Sequence, residues 1–385
     1  MRTVARPVAA RRAIGAVFCA SGFDMGVWAS QIPRIKASLS LSDAALATVV
    51  LAFAVGAIVT MPLTGALATR LGSVRTVLAT GVASAAALAL LGLAVGYPML
   101  LGAALFAGMA LGGLDVAMNT HASVVETAWG RAIMSRIHGW FSLGGLAGAA
   151  AGGALTNASL SIRTVLLIAA AVDLLATLGP ARWLGVPGVH AASAPGFAWP
   201  SRAVLGIGLL CLLAFLIEGA VFDWTAVYMH EVAGASLGFA SAGFGGFSLT
   251  MAATRFIGDG FARRWGRLRV VSVGALLVAF GIAFACAAPL PLAVTAGLTL
   301  AGLGQANIVP LLFSAAGRVP GVAPGAGVAM VATMGYGAFL LGPPAIGFLA
   351  DATGLRVALL VPVACGLAIA GGARAAMPHS ARTDR

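Results

Sequence analysis

The sequence predicts an all-α membrane protein of twelve transmembrane helices in two pseudo-symmetric six-helix bundles. Three observations predict it. Of 385 residues, 60% are hydrophobic and only 9% charged, with mean hydropathy +1.01; a soluble domain usually has about a quarter of its residues charged. The apolar residues run in continuous stretches, as helices require, and do not alternate as barrel strands do. The basic residues, which give a net charge of +12, sit mainly between those stretches, the pattern of a membrane protein and not of a nucleic-acid binder.

A helix needs about 20 apolar residues to cross the hydrocarbon core. Twelve segments qualify: 12–31, 43–68, 75–96, 98–124, 131–156, 160–180, 203–229, 237–262, 269–287, 289–314, 324–350 and 354–374. The first follows Arg2, Arg6, Arg11 and Arg12. No small-residue cleavage site precedes a polar mature domain, so it reads as an uncleaved span. With the N-terminus inside, eighteen arginines fall on the inner side. Arg34, Lys36, Arg163 and Arg356 fall outside, and Arg255 lies within a span. The positive-inside rule then places both termini of this multi-pass membrane protein in the cytoplasm. Cys19, Cys211, Cys286 and Cys365 all lie in apolar segments, as small core residues without a disulfide.

The stretch 180–202 (PARWLGVPGVHAASAPGFAWPSR) divides the spans six and six. This gives an N-terminal bundle over 1–179, a central cytoplasmic loop over 180–202 and a C-terminal bundle over 203–385. The halves echo one another at an offset of 194. RLGSVRTV (Arg70–Val77) aligns with RWGRLRVV (Arg264–Val271), and Asp24 falls on Glu218. Parallel repeats of this kind hold a solute near the midplane.

Two six-helix halves, a central loop and GALATRLGSVR (Gly65–Arg75) resemble the major facilitator superfamily over essentially the whole chain. That family usually has an acid where this chain has Thr69. In the second half Asp259 lies four residues after Arg255, a spacing that puts both on one helix face. Arg70, Arg75, Arg255, Asp259, Arg264 and Arg269 are therefore candidate gating residues. GGLDVAMNTHASVVE (Gly112–Glu126), GRAIMSRIHGWFSLGGLAGA (Gly130–Ala149) and EGAVFDWTAVYM (Glu218–Met229) resemble the fucose:proton symporter branch, in particular its uncharacterised bacterial inner-membrane members. The resemblance implies that Asp115 and Asn119 match a fourth-span acid–amide motif serving proton coupling and substrate binding. Asp24 matches a first-span acid by position. It also implies that the first, fourth, seventh and tenth spans line a central cavity, where Asp24, Asp115 and Glu218 would meet.

A charged group at mid-bilayer costs at least ~2.5–3.5 kcal/mol, so an acid there must be paired, hydrated or useful. At ~1.5 Å per residue, Asp24 lies about 18 Å and Glu218 about 22 Å into their spans. Carboxyls that are crowded or partly dried hold protons more tightly, as a proton carrier needs. Asp24, Asp115 and Glu218 are the candidate coupling acids. Asp173, in the sixth span, has no role on this reading.

His138 suits a proton relay or a gating contact. Trp28, Trp140, Trp224 and Tyr336 could stack on a solute, or simply anchor or pack their helices. Asn119, Gln305 and Asn307 could hydrogen-bond it, or bond neighbouring helices. No His, Cys and acid spacing suggests a metal, and no nucleophile–base pair stands out, so neither a catalytic site nor a cofactor is expected. Lys36 is the only lysine, which excludes a Walker sequence.

The expected function is secondary active transport by alternating access, with a small solute, protons and the bilayer as partners and a monomer as the working unit. Proton-coupled symport of a sugar-like or other small polar solute leads. Proton-driven efflux of a hydrophobic or cationic compound is the rival, and a non-transporting membrane sensor or scaffold is the alternative of another class.

Overall fold

A computed structural model describes residues 2–41, 43–185, 202–235 and 242–377. The central loop call at 180–202 lies mostly outside them. The described residues fold as helices: α1 (Arg2–Ser38), α2 (Asp43–Leu71), α3 (Ser73–Leu93), α4 (Tyr97–Trp129), α5 (Met134–Asn157), α6 (Ile162–Leu178) and the single turn α7 (Ala181–Leu184). There follow α8 (Arg202–Val227), a π-helical turn at Tyr228–Val232, α9 (Ala242–Trp265), α10 (Arg267–Ala287), α11 (Pro291–Gln305), α12 (Ile308–Ala316), α13 (Pro324–Thr353), α14 (Leu355–Ala358) and α15 (Leu360–Ala376).

Over the described residues, each of the twelve predicted segments lies largely in helix. Among the described residues, nine helical stretches are long and apolar enough to cross a membrane. The remaining three long helices fall short for visible reasons. Helix α6 has 17 residues, α5 opens with Arg136 and His138 among glycines, and α9 carries Arg255, Asp259, Arg263 and Arg264. Large apolar side chains such as Val59, Leu63, Leu175, Leu249, Phe280 and Phe348 stand exposed. In water such a surface would aggregate; in a bilayer it is the solvated face, since lipid tails are as apolar as leucine.

The chain divides into two compact units, one of residues 1–133, 137–198 and 321–329, the other of 134–136, 199–320 and 330–385. In the first, Val27, Val49, Leu88, Leu100, Val165 and Leu166 bring α1, α2, α3, α4 and α6 onto one core, with Phe23 and Trp28 packed against it. Helix α1 meets α5 through two Gly-x-x-x-Gly pairs. A Cβ on Gly22 or Gly26 would run into the carbonyl oxygens of Phe141 or Gly145, and one on Gly144 or Gly148 into those of Cys19 or Phe23. Only glycine lets the two backbones approach this closely.

In the second unit, helix α10 ends at Ala287 and leaves carbonyls without helical donors. Arg356 donates from Nε to Cys286 O at 2.7 Å and from Nη2 to Ala287 O at 3.2 Å, while Tyr228 Oη donates to Ala285 O at 3.2 Å. A cation is also favoured there by the helix dipole. Cys211, Cys286 and Cys365 are buried, as small core residues should be.

The internal echo is visible in the backbone. Gly72 links α2 to α3 at φ 85°, ψ 151°, and Gly266 links α9 to α10 at φ 79°, ψ 148°. Val77 and Val271 are both buried. Nothing lies within 4 Å of a Cβ built on either glycine, so only backbone conformation resists substitution. This backbone region is open essentially to glycine alone, so Gly72→Ala and Gly266→Ala should each cost about 1–3 kcal/mol. Thermal unfolding of the purified variants checks this, and one silent variant beside one costly one would contradict the shared geometry.

Candidate functional site

Each unit carries a buried polar cluster. In the first, α4 presents Asp115 and Asn119 one turn apart. Asn119 Nδ2 donates to Asp115 O at 2.9 Å and to Asp115 Oδ1 at 3.1 Å. With its nitrogen so committed, Asn119 turns its oxygen to α5, where His138 Nε2 lies 2.9 Å from Oδ1. An amide oxygen only accepts, so His138 Nε2 carries the hydrogen and donates. The imidazole stands edge-on to Phe18, ring centroids 5.2 Å apart, which fixes its plane. Asp115 Oδ2 is buried and receives no donor. The acid–amide pair of α4 and the histidine of α5 thus form one chain of hydrogen bonds with an acceptor left over at its end.

Asp24 was expected to face a wet crevice beside Asp115. Its side chain is fully buried and its neighbours lie on α3 and α6. Ser84 Oγ donates to Asp24 Oδ2 at 3.4 Å, and the Asp24 carboxyl lies beside that of Asp173. The rotation of α1 against α3 and α6 decides this, and the position of Asp24 along the span could not reveal it. Trp28 packs against the first unit's core. Trp140 is exposed, and its ring faces the backbone of Gly15 on α1.

Two further first-unit residues escaped the sequence reading. His121 is buried, with Nδ1 2.9 Å from Ser73 Oγ. Glu126 Oε2 accepts the Ile133 amide at 2.9 Å, tying the end of α4 to the residue that opens α5. The motif Gly112–Glu126 contains both residues, but nothing in it marks their partners.

In the second unit the cluster forms around a break in the tenth predicted span. Pro310 has no amide hydrogen, so the Ala306 carbonyl, four residues earlier, loses its helical donor. The helix is interrupted at Ala306–Asn307, between α11 and α12. Arg255 on α9 supplies the missing donor, with Nε 3.1 Å from Ala306 O. Its Nη2 lies 3.6 Å from Glu218 Oε1 on α8. Gln305 Nε2 donates to the same Glu218 oxygen at 3.2 Å and to Ala214 O at 2.8 Å. Gln305 Oε1 and Asn307 Oδ1 are buried without donors. Pro310 was the sequence signal for this arrangement and went unread.

Arg255 therefore makes its ion pair with Glu218. Asp259 accepts the amides of Ser135 at 3.0 Å and Arg136 at 3.1 Å, both within the second unit. A carboxylate on the free amides of a helix N-terminus is favourable for the helix dipole. Arg70, Arg75, Arg264 and Arg269 are exposed near the Gly72 and Gly266 turns, and Thr69 Oγ1 donates back to Ala66 O at 2.7 Å. Tyr336 stands edge-on to Phe215 and Phe339, each centroid 5.6 Å away. Trp224 packs against Ala220, Ile346 and Ala358, its Nε1 buried without an acceptor.

Apolar spans around buried acid, amide and imidazole groups, with a broken helix in the second unit, define a multi-pass membrane transporter. The comparisons with known proteins agree. The model of the Major Facilitator Superfamily matches residues 14–271. An uncharacterised MFS-type transporter of Yersinia pestis is 36% identical, covering 93% of each chain. An uncharacterised transporter of Sinorhizobium fredii is 35% identical, covering 91% of this chain and 93% of its own. Among solved structures, the E. coli fucose:proton symporter FucP superposes with a TM-score of 0.81 at 17% identity, over 97% of this chain and all of FucP. The chain belongs to the Major Facilitator Superfamily. It is a transporter of small-molecule solutes and not an enzyme.

Proposed function

We propose that the chain is a proton-coupled symporter of a sugar-like or other small polar solute, working as a monomer in the bacterial cytoplasmic membrane by alternating access. The observation that carries this reading is the Asp115–Asn119–His138 network. It offers an acceptor, an amide and an imidazole to a hydroxyl-bearing solute, and its acid has an oxygen free to take a proton. Asp115 pairs with no cation among the described residues, whereas Glu218 already faces Arg255. The likeness to a fucose:proton symporter supports the same choice. The distribution of arginines supports cytoplasmic termini. Trp140 and Tyr336 supply aromatic faces for the solute, and Gln305 and Asn307 supply neutral hydrogen bonds. Asp259, with Arg70, Arg75, Arg264 and Arg269, serves the gate.

The test is proton movement in proteoliposomes carrying a pH-sensitive dye, with sugars added in turn. A transported sugar should give a saturable proton uptake, and Asp115→Asn should abolish the proton-linked component, because the asparagine cannot ionise. Full proton-linked uptake by Asp115→Asn, or ethidium efflux in place of sugar uptake, would overturn the reading.

A further inference from the structure

The acid that the sequence left without a role lies beside one that it singled out. Asp24 on α1 and Asp173 on α6 are both 0% exposed, and their carboxyl groups are neighbours. Ser84 Oγ donates to Asp24 Oδ2 and lies within reach of Asp173 as well, and Thr177 Oγ1 donates to Asp173 Oδ1 at 3.4 Å. That accounts for two of the four carboxyl oxygens. Asp24 Oδ1 and Asp173 Oδ2 are buried and receive no protein donor. Helix α3 packs closely on α6 beside the site: a Cβ on Gly81 would meet Thr177 Cγ2 at 2.6 Å.

An ionised carboxyl only accepts hydrogen bonds. Two ionised carboxyls side by side out of water would repel without screening. Among the described residues, neither carboxyl is paired with a cation. Arg34 is committed to Gln31, Thr156 and Leu160, while Arg75 and Arg163 occupy exposed positions. On α4, Asp115 is held by Asn119, His121 by Ser73 and Glu126 by the Ile133 amide. His138 on α5 is held by Asn119, and Arg182 on α7 lies over Trp183. The remaining partner small enough for the site is a proton.

We propose that Asp24 and Asp173 together bind one proton, held between Asp24 Oδ1 and Asp173 Oδ2, and that this shared proton fastens α1 to α6. The site is separate from the Asp115–Asn119–His138 network. Its use in the transport cycle rests on the proton-coupled reading above; the shared proton does not. Releasing it leaves two like charges in a dry contact and loosens α1.

The test uses the full-length protein in detergent, with thermal unfolding followed from mildly acidic to alkaline pH. A proton held by the folded protein and not by the unfolded chain stabilises at low pH, and that stability is lost as the pH rises. Wild type should lose several degrees of Tm over the range. Asp24→Asn and Asp173→Asn should each remove most of that loss, because the amide hydrogen replaces the shared proton. The double variant should remove no more than either single variant. Wild-type pH dependence surviving in both single variants, or effects that add in the double, overturns the proposal.

Should an Asn variant not fold, infrared spectra of wild type and Asp173→Glu decide. A deuterium-sensitive band of a protonated carboxyl must be present at neutral pH and must move in the Glu variant; its absence or immobility overturns the proposal. Stabilisation of wild type but not of Asp24→Asn by sodium at constant ionic strength would make this a metal-cation site and likewise overturn it. Pair-dependent stability without proton-linked flux leaves this inference standing and removes the transport reading. Proton-linked flux with a pH-indifferent pair does the reverse.

Discussion

Arg255→Met should lower the stability of the purified protein by about 3–5 kcal/mol, the usual cost of removing one partner of a buried ion pair. Two groups lose a partner at once. Glu218 Oε1 loses the guanidinium 3.6 Å away, and Ala306 O loses the donor that stands in for the amide hydrogen Pro310 lacks. A methionine of similar length fills the space, so the loss is electrostatic and not a cavity effect. Two second-site changes should each recover part of it. Glu218→Gln removes the stranded charge while keeping an oxygen for Gln305 Nε2. Pro310→Ala returns an amide hydrogen to Ala306. Thermal unfolding of the single and double variants measures the coupling. A cost below about 1 kcal/mol, the level of an exposed pair, would show that Arg255 does not hold the interrupted helix.

Gly144→Leu should yield no monodisperse folded protein. Overpacking a core costs ~1–3 kcal/mol and occasionally more. Here the obstacle is the Cys19 carbonyl, part of α1's own backbone. No rotamer change relieves that contact, and α1 and α5 would have to separate along their length. Gly153→Leu is the control on the same helix. Nothing lies within 4 Å of a Cβ at Gly153, so the change should stay within about 0.5 kcal/mol. Size-exclusion profiles and thermal unfolding read both. A well-folded Gly144→Leu protein would mean that α1 and α5 do not touch through these glycines.

The legible part of this protein was the part written along the chain. Continuous apolar runs gave helix positions, because a bilayer demands internal satisfaction of every backbone group. The RLGSVR and RWGRLR loops gave matching turns, because glycine adopts positive φ at no steric cost. Asp115 and Asn119 were legible as a pair, since residues four apart lie on one helix face.

Partners across helices were not legible. His138 meets Asn119, Arg255 meets Glu218, and Asp173 meets Asp24 through helix rotations that hydropathy barely constrains, because lipid and helix neighbours are both apolar. Pro310 was readable in principle, since a missing amide hydrogen always strands the carbonyl four residues earlier. Which side chain would answer that carbonyl was not.

By itself, then, the sequence determined that this chain is a bundle of membrane-crossing helices carrying a few costly polar groups, since composition and hydropathy are properties of the chain alone. Only the tertiary structure decided which of those groups keep company. Asp24 is sealed against Asp173, Asp115 is left with an open oxygen, and Glu218 is set against Arg255, because the direction a helical side chain faces is fixed by the packing of its neighbours.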